Sequence, residues 1–313
     1  MKRSDRLRTV LILGGAGFIG SNWAHRLLRH TEAKVHIFDN LSRPGVRHNL
    51  WSLQQAARGS DRLQVTVGDI REASVVADAV RTASEVYNLA AQVAVTTSLL
   101  DPRLDFEVNT LGTFNVLEAA RKSGHRPFIL FTSTNKVYGD MANRPVKPLA
   151  RRYEYKDLGA GIDESQPLDF HSPYGCSKGA ADQYVRDYAR IFGIPAVVLR
   201  MSCIAGPRQF GNEDQGWVAH FLYSALSGVP ILIYGDGRQV RDVLCVHDLL
   251  RAFETLRQNS GVTAGQIYNV GGGRGNTVSL LELMDLIQEF SGCLLYTSPS
   301  PRDMRRSRMP SSA

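Results

Sequence analysis

Tyr174 and Lys178 stand four residues apart in the string Tyr174-Gly-Cys-Ser-Lys178. On a helix, residues at i and i+4 project from one face, so the spacing predicts an ammonium beside a phenol. A free phenol ionises near pH ~10, too high for a base at neutral pH. A neighbouring positive charge favours the phenolate, and lowering its pKa by roughly 3 units corresponds to about 4 kcal/mol of electrostatic stabilisation. Such a pair can remove and return a hydroxyl proton. Tyr-xxx-Lys also arises by chance on helix surfaces. Here its position on a long helix before a strand gives it weight.

A second group of residues is suited to a dinucleotide. Gly14-Gly-Ala-Gly17-Phe18-Ile19-Gly20 follows a strand-like run and opens a helix. Glycines at 14, 17 and 20 let the backbone turn tightly against a pyrophosphate, which then faces the N–H groups and dipole of the helix N-terminus. Asp39 ends the second strand, 19 residues after Gly20. A carboxylate there accepts hydrogen bonds from the adenosine ribose and disfavours a 2′-phosphate, so NAD is expected rather than NADP. Arg43 reads as a surface loop charge, or less readily as a partner for that phosphate. Asp69 follows the third strand and suits either a helix N-cap or the adenine amino group. Thr132-Ser-Thr134 ends the fifth strand, where open α/β sheets place their ligands. A hydroxyl there can hydrogen-bond a reacting oxygen and share its proton with Tyr174.

The elements that must position these groups alternate. Strands are predicted at 9–13, 34–38, 63–67, 85–89, 128–132 and 196–200, with helices at 18–29, 73–81, 103–121 and 174–192. That alternation implies a parallel sheet with helices on both faces. Residues 139–172, rich in Pro, Gly and charge, read as an ordered insertion or lid. Beyond 200 come a Gly/Pro/Asn cluster at 206–216, a helix at 217–227, a strand at 231–234, a turn at 235–237, a helix at 246–258, a strand at 266–270 and a helix at 279–290. The expected fold is α/β, a Rossmann-type doubly wound parallel sheet with a smaller, interleaved C-terminal substrate lobe. The dinucleotide unit is placed at 1–200 and a partial substrate lobe at 201–292.

The 313 residues are 43% hydrophobic and 21% charged, as in a soluble globular enzyme. No apolar run is long enough to cross a bilayer. Residues 9–13 are too few, and too soon followed by glycines, to be a signal peptide, so a cytoplasmic protein is expected. The last 21 residues, from Cys293-Leu-Leu-Tyr-Thr-Ser-Pro-Ser-Pro-Arg-Asp303 to Arg308-Met-Pro-Ser-Ser-Ala313, read as a translated sequencing adapter. They are expected to be disordered, with the natural sequence breaking off near Gly292. Four arginines against Asp303 give this tail a net +3, leaving +4 of the chain's +7. The basic balance is therefore poor support for nucleic-acid binding. Cys176, Cys203 and Cys245 lie far apart without CxxC spacing, which predicts neither a zinc site nor a disulfide framework.

Several strings occur together in a known order. They are the glycine loop, Asn88-Leu89-Ala90-Ala91-Gln92, Val108-Asn109-xx-Gly112-Thr113, Thr134-Asn-Lys-Val-Tyr138-Gly139 and Tyr174-xxx-Lys178. In these the chain resembles the extended short-chain dehydrogenase/reductase family over residues 9–292. The resemblance implies NAD as cofactor, no metal, and Thr134, Tyr174 and Lys178 as the catalytic set. It also implies cofactor contacts from Gly14, Gly17, Phe18, Ile19, Gly20, Asp39, Asn40, Asp69, Ile70, Leu89, Ala90, Ala91, Asn109, Thr132, Tyr174 and Lys178.

Longer strings, Pro173 to Tyr184, Gly206 to Trp217 and Tyr234 to Asp242 followed by Tyr268 to Gly273, are similar to CDP-paratose 2-epimerases. This implies inversion at C2 of a CDP-sugar of the lipopolysaccharide O-antigen through a transient 2-keto sugar. Arg208 and Arg241 would hold the diphosphate, Gln215 to Val218 would lie near the base, and Gln92, Thr134 and Cys203 would face the substrate. Ala205 stands where a bulkier Tyr is expected. A homodimer through residues 103–121 and 174–192, or a larger assembly, is implied, with neither nucleic acid nor membrane as partner. A 4,6-dehydratase needs an acidic pair where Asn135 and Lys136 stand. A UDP-hexose 4-epimerase, which uses the same Tyr, Lys and Ser/Thr, and a non-catalytic dinucleotide binder are the rival readings. Relatives continue past Gly292 with further substrate-binding residues, so this polypeptide is expected to turn over weakly.

Overall fold

The computed structural model describes residues 8–157 and 161–292, and the backbone of 297–299. Its strands are β1 Thr9–Leu13, β2 Lys34–Asp39, β3 Leu63–Val67, β4 Glu85–Asn88, β5 Phe128–Thr134, β6 Val146–Pro148, β7 Tyr153–Tyr155, β8 Ala196–Met201, β9 Cys203–Ala205, β10 Ile231–Ile233, β11 Val240–Cys245, β12 Ile267–Val270, β13 Thr277–Ser279 and β14 Thr297–Pro299. Its helices are α1 Phe18–His30, α2 Val46–Ala56, α3 Ala73–Val80, α4 Val95–Leu100, α5 Pro102–Phe106, α6 Gly112–Lys122, α7 Pro173–Phe192, α8 Trp217–Leu226, α9 Val246–Gln258, α10 Ser260–Thr263 and α11 Leu280–Ser291. A π-turn, Glu107–Leu111, joins α5 to α6 within the helix predicted at 103–121.

Seven strands form one sheet in the order β12-β8-β5-β4-β1-β2-β3, and every pairing in it is parallel. The chain moves outward from β1 to β3 and then returns to β4 on the other side of β1. That reversal opens a crevice at the carboxyl ends of β1 and β4, the place where such sheets bind ligands.

Strand pleating sends alternate residues to opposite faces. Val10 and Ile12 join Trp23 and Leu27 of α1, Leu53 of α2 and Phe253 of α9 in one layer. Leu11 and Leu13 join Val76 of α3, Leu117 of α6 and Val185 of α7 in the other. Trp23, Tyr87 and Phe253 anchor the first layer, with ring centroids 5.1 to 5.7 Å apart. Each such buried side chain contributes roughly 1.5–3 kcal/mol.

The sequence beyond 200 does not form a separate block. Helix α9 and strand β12 complete the main sheet and its covering layer, while β9, β11 and β13 form a small mixed sheet. Phe221, Ile231, Ile233, Leu283 and Ile287 give the substrate lobe a core of its own. Strand β11 and helix α2 were not expected from the sequence. The insertion contains the antiparallel pair β6–β7. It leans on the substrate lobe, with Tyr153 donating to Asp236 at 2.7 Å and Arg152 to Thr277 at 2.6 Å. The tail expected to be disordered supplies β14, which pairs in parallel with β10. The edge of β10 offers unpaired backbone groups, and an extended Thr/Ser segment can satisfy them. The other residues of the tail lie outside the described residues.

Candidate active site

The glycine loop turns where the sequence places it. Gly14 has φ +74°, and a Cβ there would lie 2.8 Å from the backbone N of Ala90. A Cβ on Gly20 would lie 2.4 Å from the carbonyl oxygen of Gly14. The loop thus packs helix to strand through backbone atoms alone, with Leu89 and Ala90 as its neighbours. No side chain caps α1 at Gly17, so the first-turn N–H groups of Phe18, Ile19 and Gly20 stay available to an anion.

Asp39 closes the next side of the crevice. It accepts hydrogen bonds from Ala16 N at 3.0 Å and Leu41 N at 2.9 Å. Burial pushes its pKa up, while these backbone donors and the nearby Arg43 hold it down. Asp69 is chelated by Arg71, with both nitrogens at 2.9 Å, and also accepts from Asn40 at 3.2 Å. The Arg71 hydrogen bonds bring it down to about 2. Asp69 does not cap α3, whose N-cap is Glu72. Ile70 is buried against Gly112 and faces the core. Ala91 continues the loop after β4 beside Gln92.

The reacting groups gather at the ends of β5 and α7. Ser172 caps α7 through Gly175 N, and Pro173 occupies its first turn, which fixes where Tyr174 begins. The Tyr174 phenol hydrogen-bonds Thr134. Thr134 ends β5 and also accepts from Lys136 N at 3.2 Å. The ammonium expected beside the phenol lies elsewhere. Lys178 Nζ donates to the Thr132 carbonyl at 2.6 Å and sits 4.2 Å from the Phe131 ring centroid. Tyr174 is accordingly not held low. Burial pushes it up to about 12 and Asp105 adds to this, while Thr134 and Arg43 oppose them. Burial likewise brings Lys178 down to about 7, against the pull of Asp182 and Asp105. The i, i+4 spacing put both residues on one face. It did not register that the longer side chain would satisfy a strand-end carbonyl.

Asp105 was missed from the sequence. It is fully buried and collects Ser177 Oγ, Asn109 Nδ2 at 3.1 Å and Gln92 Nε2 at 2.9 Å. Two expectations are corrected here. Gln92, expected to face the substrate, turns inward, with its Nε2 also on Ala94 O and its Oε1 accepting from Ala94 N. Asn109, on the π-turn, bridges Gln92, Asp105 and Ser177. A buried carboxylate needs donors, and these two amides are the nearest.

On the substrate-lobe side, Cys203 accepts from Trp217 Nε1 at 3.3 Å. It lies beside Lys136 and Arg241. Gln215 accepts from Arg43, which reaches over from the loop after β2. Arg43 is therefore not the plain surface charge it reads as, since its charge also acts on Tyr174 and Asp39. Arg208 is not brought to this group. Its Nη1 donates to Asn22 on α1 at 2.9 Å, and it acts on His25 there, which burial, Arg208 and Arg29 bring down to about 4. Its φ of +67° turns the chain so that the side chain points back along α1.

Residues 10–271 match the model of the NAD dependent epimerase/dehydratase family. The chain is 44% identical to the CDP-paratose 2-epimerase of Salmonella typhi over 90% of this chain and 84% of that protein. It is 33% identical to a UDP-glucose 4-epimerase of Mycolicibacterium smegmatis over 96% of this chain and 89% of that one. It superposes with a TM-score of 0.76 and 32% identity on the UDP-glucose 4-epimerase of Thermus thermophilus solved with NAD, covering 94% of this chain and 87% of that one. No helix among the described residues is long and apolar enough to cross a membrane.

Proposed function

The chain belongs to the NAD dependent epimerase/dehydratase family, with NAD as cofactor and nucleotide sugars as its substrate class, and we propose that it inverts C2 of CDP-paratose to give CDP-tyvelose. The observation that carries this reading is the Thr134–Tyr174 hydrogen bond beside Asn135 and Lys136. The pair can move a hydroxyl proton, and there is no carboxylic acid at these two positions to expel water. The 44% identity to a CDP-paratose 2-epimerase supports the choice of carbon and base.

Gly14, Gly17 and Gly20 would pass the pyrophosphate, Asp39 the adenosine ribose, and Lys178 the nicotinamide ribose. The backbone cradle at Gly14 and Gly20, which a Cβ would fill, fits a dinucleotide. When bound, NAD accepts and returns the C2 hydride. Tyr174 takes the C2 hydroxyl proton as the C2–H bond breaks, and gives it back to the same oxygen once hydrogen is restored on the opposite face. Thr134 holds that oxygen in both orientations. Positioned proton transfer of this kind contributes roughly 10² to 10⁴ in rate. Since Tyr174 rests near 12, it needs added positive charge on binding to act as a base. Arg43 and the cationic nicotinamide are the sources at hand.

A homodimer through α6 and α7 is also proposed. Phe114, Tyr184 and Ile191 stand exposed on them, and Phe114 and Tyr184 pack edge to face at 5.9 Å.

The reading is tested by incubating the protein with CDP-paratose, adding no NAD, and following the C2 proton by NMR. Appearance of the C2 epimer supports substrate, reaction and retained cofactor together. No change, with NAD bound and the protein folded, moves the assignment to a 4-epimerase. The 33% identity to a UDP-glucose 4-epimerase favours that second reading.

A further inference from the structure

We propose that Arg208, Arg29 and His25 form a binding site for a phosphate-class dianion on α1, apart from the dinucleotide crevice. The inference is independent of the sugar and of the carbon that reacts.

Helix geometry gathers the three groups. Asn22, His25 and Arg29 of α1 are spaced i, i+3 and i+7, which lines them along one face. Arg208 is laid onto that face by its Nη1, which donates to Asn22 Oδ1 at 2.9 Å. Its backbone is fastened there as well, since Asn22 Nδ2 donates to Pro207 O at 2.8 Å and Asn49 Nδ2 to Arg208 O at 3.2 Å. Ser52 of α2 closes the other side, with its Oγ 3.2 Å from His25 Nε2. The electrostatics agree with this placement. Arg208 and Arg29 both act on His25, and Arg29 acts on Arg208. At the rise of an α-helix, His25 and Arg29 lie about 12 and about 18 Å along the axis from Gly17. A pyrophosphate at the glycine loop leaves them uncovered.

A tether between Arg208 and α1 does not account for the arrangement. The left-handed φ of +67° is costly for a residue with a side chain, and it brings Arg208 beside a second guanidinium of the same charge. One N–H of Arg208 serves Asn22. Among the described residues no carboxylate pairs with Arg208 or Arg29. Glu254 of the neighbouring α9 is taken by Arg26, through both oxygens at 2.7 and 2.8 Å. Arg29 is exposed and Arg208 half-buried, so an ion reaches both from solvent.

These donors suit one kind of ligand. Two guanidiniums supply two positive charges, which a dianion balances. Their forked N–H groups match the paired oxygens of a phosphate. The Ser52 hydroxyl and the His25 ring stand beside them as uncharged polar groups. Free phosphate and a phosphomonoester share this chemistry.

The test titrates the NAD-loaded protein with inorganic phosphate at constant ionic strength, with chloride as the comparison salt, and follows the His25 ring by NMR. Loss of a resonance in His25→Gln identifies the signal. The wild type should show a saturable shift with phosphate that chloride does not reproduce. Arg208→Gln and Arg29→Gln should each weaken phosphate by about tenfold or more, the loss of one charge-assisted bond, while Arg29→Lys should keep most of the affinity. Glycerol 3-phosphate in place of phosphate distinguishes the sources: tighter binding assigns the site to a phosphomonoester, and weaker binding to the free ion. Arg29 is exposed, so Arg29→Gln tests the site even where Arg208→Gln disturbs the fold. A shift that chloride reproduces, or unchanged phosphate affinity in a folded Arg29→Gln variant, overturns the site and leaves Arg208 a tether.

Discussion

Lys178 stands one helical turn after Tyr174, yet its ammonium bonds the Thr132 carbonyl at 2.6 Å while the phenol bonds Thr134. The two residues therefore grip consecutive parts of the same strand end. In the proposed mechanism Lys178 sets the place of the ribose and strand, and Tyr174 carries the proton.

Tyr174→Phe should lower kcat by about 10² to 10⁴ while NAD stays bound. Arg43→Met should leave the fold intact and act on the same step. A guanidinium stabilises the phenolate, so its loss raises the Tyr174 pKa. The limb of the kcat–pH profile that rises with phenolate formation should then move to higher pH. A profile identical to wild type would exclude Arg43 from tuning the base.

Lys136 should leave a signature in the pH dependence of stability. Burial brings it down to about 8 from its ordinary 10.5. Between those values the unfolded chain holds a proton that the folded chain has lost, so stability rises with pH across the window. Below about 8 the full penalty is present. Lys136→Met removes it, so the variant's advantage should be largest below pH 8 and fade towards 10.5. Melting curves across this range, without nucleotide, measure it. A gap that widens with pH would contradict the burial penalty on the Lys136 ammonium.

Asp182 and Arg200 form a buried two-pronged ion pair at 2.8 and 3.1 Å that ties α7 to β8, and Arg200 also donates to Tyr138 at 3.0 Å. Asp182→Ala strands the guanidinium and should cost about 3–5 kcal/mol in urea unfolding. Replacing both with apolar residues of similar volume should recover much of this. A loss under about 1 kcal/mol would mean that solvent reaches the pair, as it does at surface salt bridges.

Gly20→Ala should abolish retention of NAD. The new methyl would lie 2.4 Å from the Gly14 carbonyl, and that backbone cannot yield without opening the loop. Cofactor released on denaturation, measured by chromatography, should fall from near one per chain to near none. Normal retention would show that the loop has slack which the packing does not suggest.

The sequence by itself determined the repeating layers of this protein and where its glycine loop turns. Strand and helix periodicities, the glycine loop and Asp39 are local patterns, because backbone conformation and alternation of faces are set by neighbours in the chain. Thr134, Tyr174 and Lys178 come together as a set only through the family resemblance; local pattern alone places them at a strand end and on a long helix. Only the tertiary structure decided which groups these side chains would meet. Asp105 reads as an ordinary acid on a helix, and becomes the buried hub of Gln92, Asn109 and Ser177 because α5 packs on α7. Lys178 reads as a partner for Tyr174, and finds Thr132 because β5 ends beneath it. Arg208 reads as a diphosphate ligand, and bonds Asn22 of α1 instead because the chain turns at 206–208. Side-chain partners are fixed by contacts between residues distant in sequence. Competition among buried donors and acceptors settles them, and that competition has no local trace.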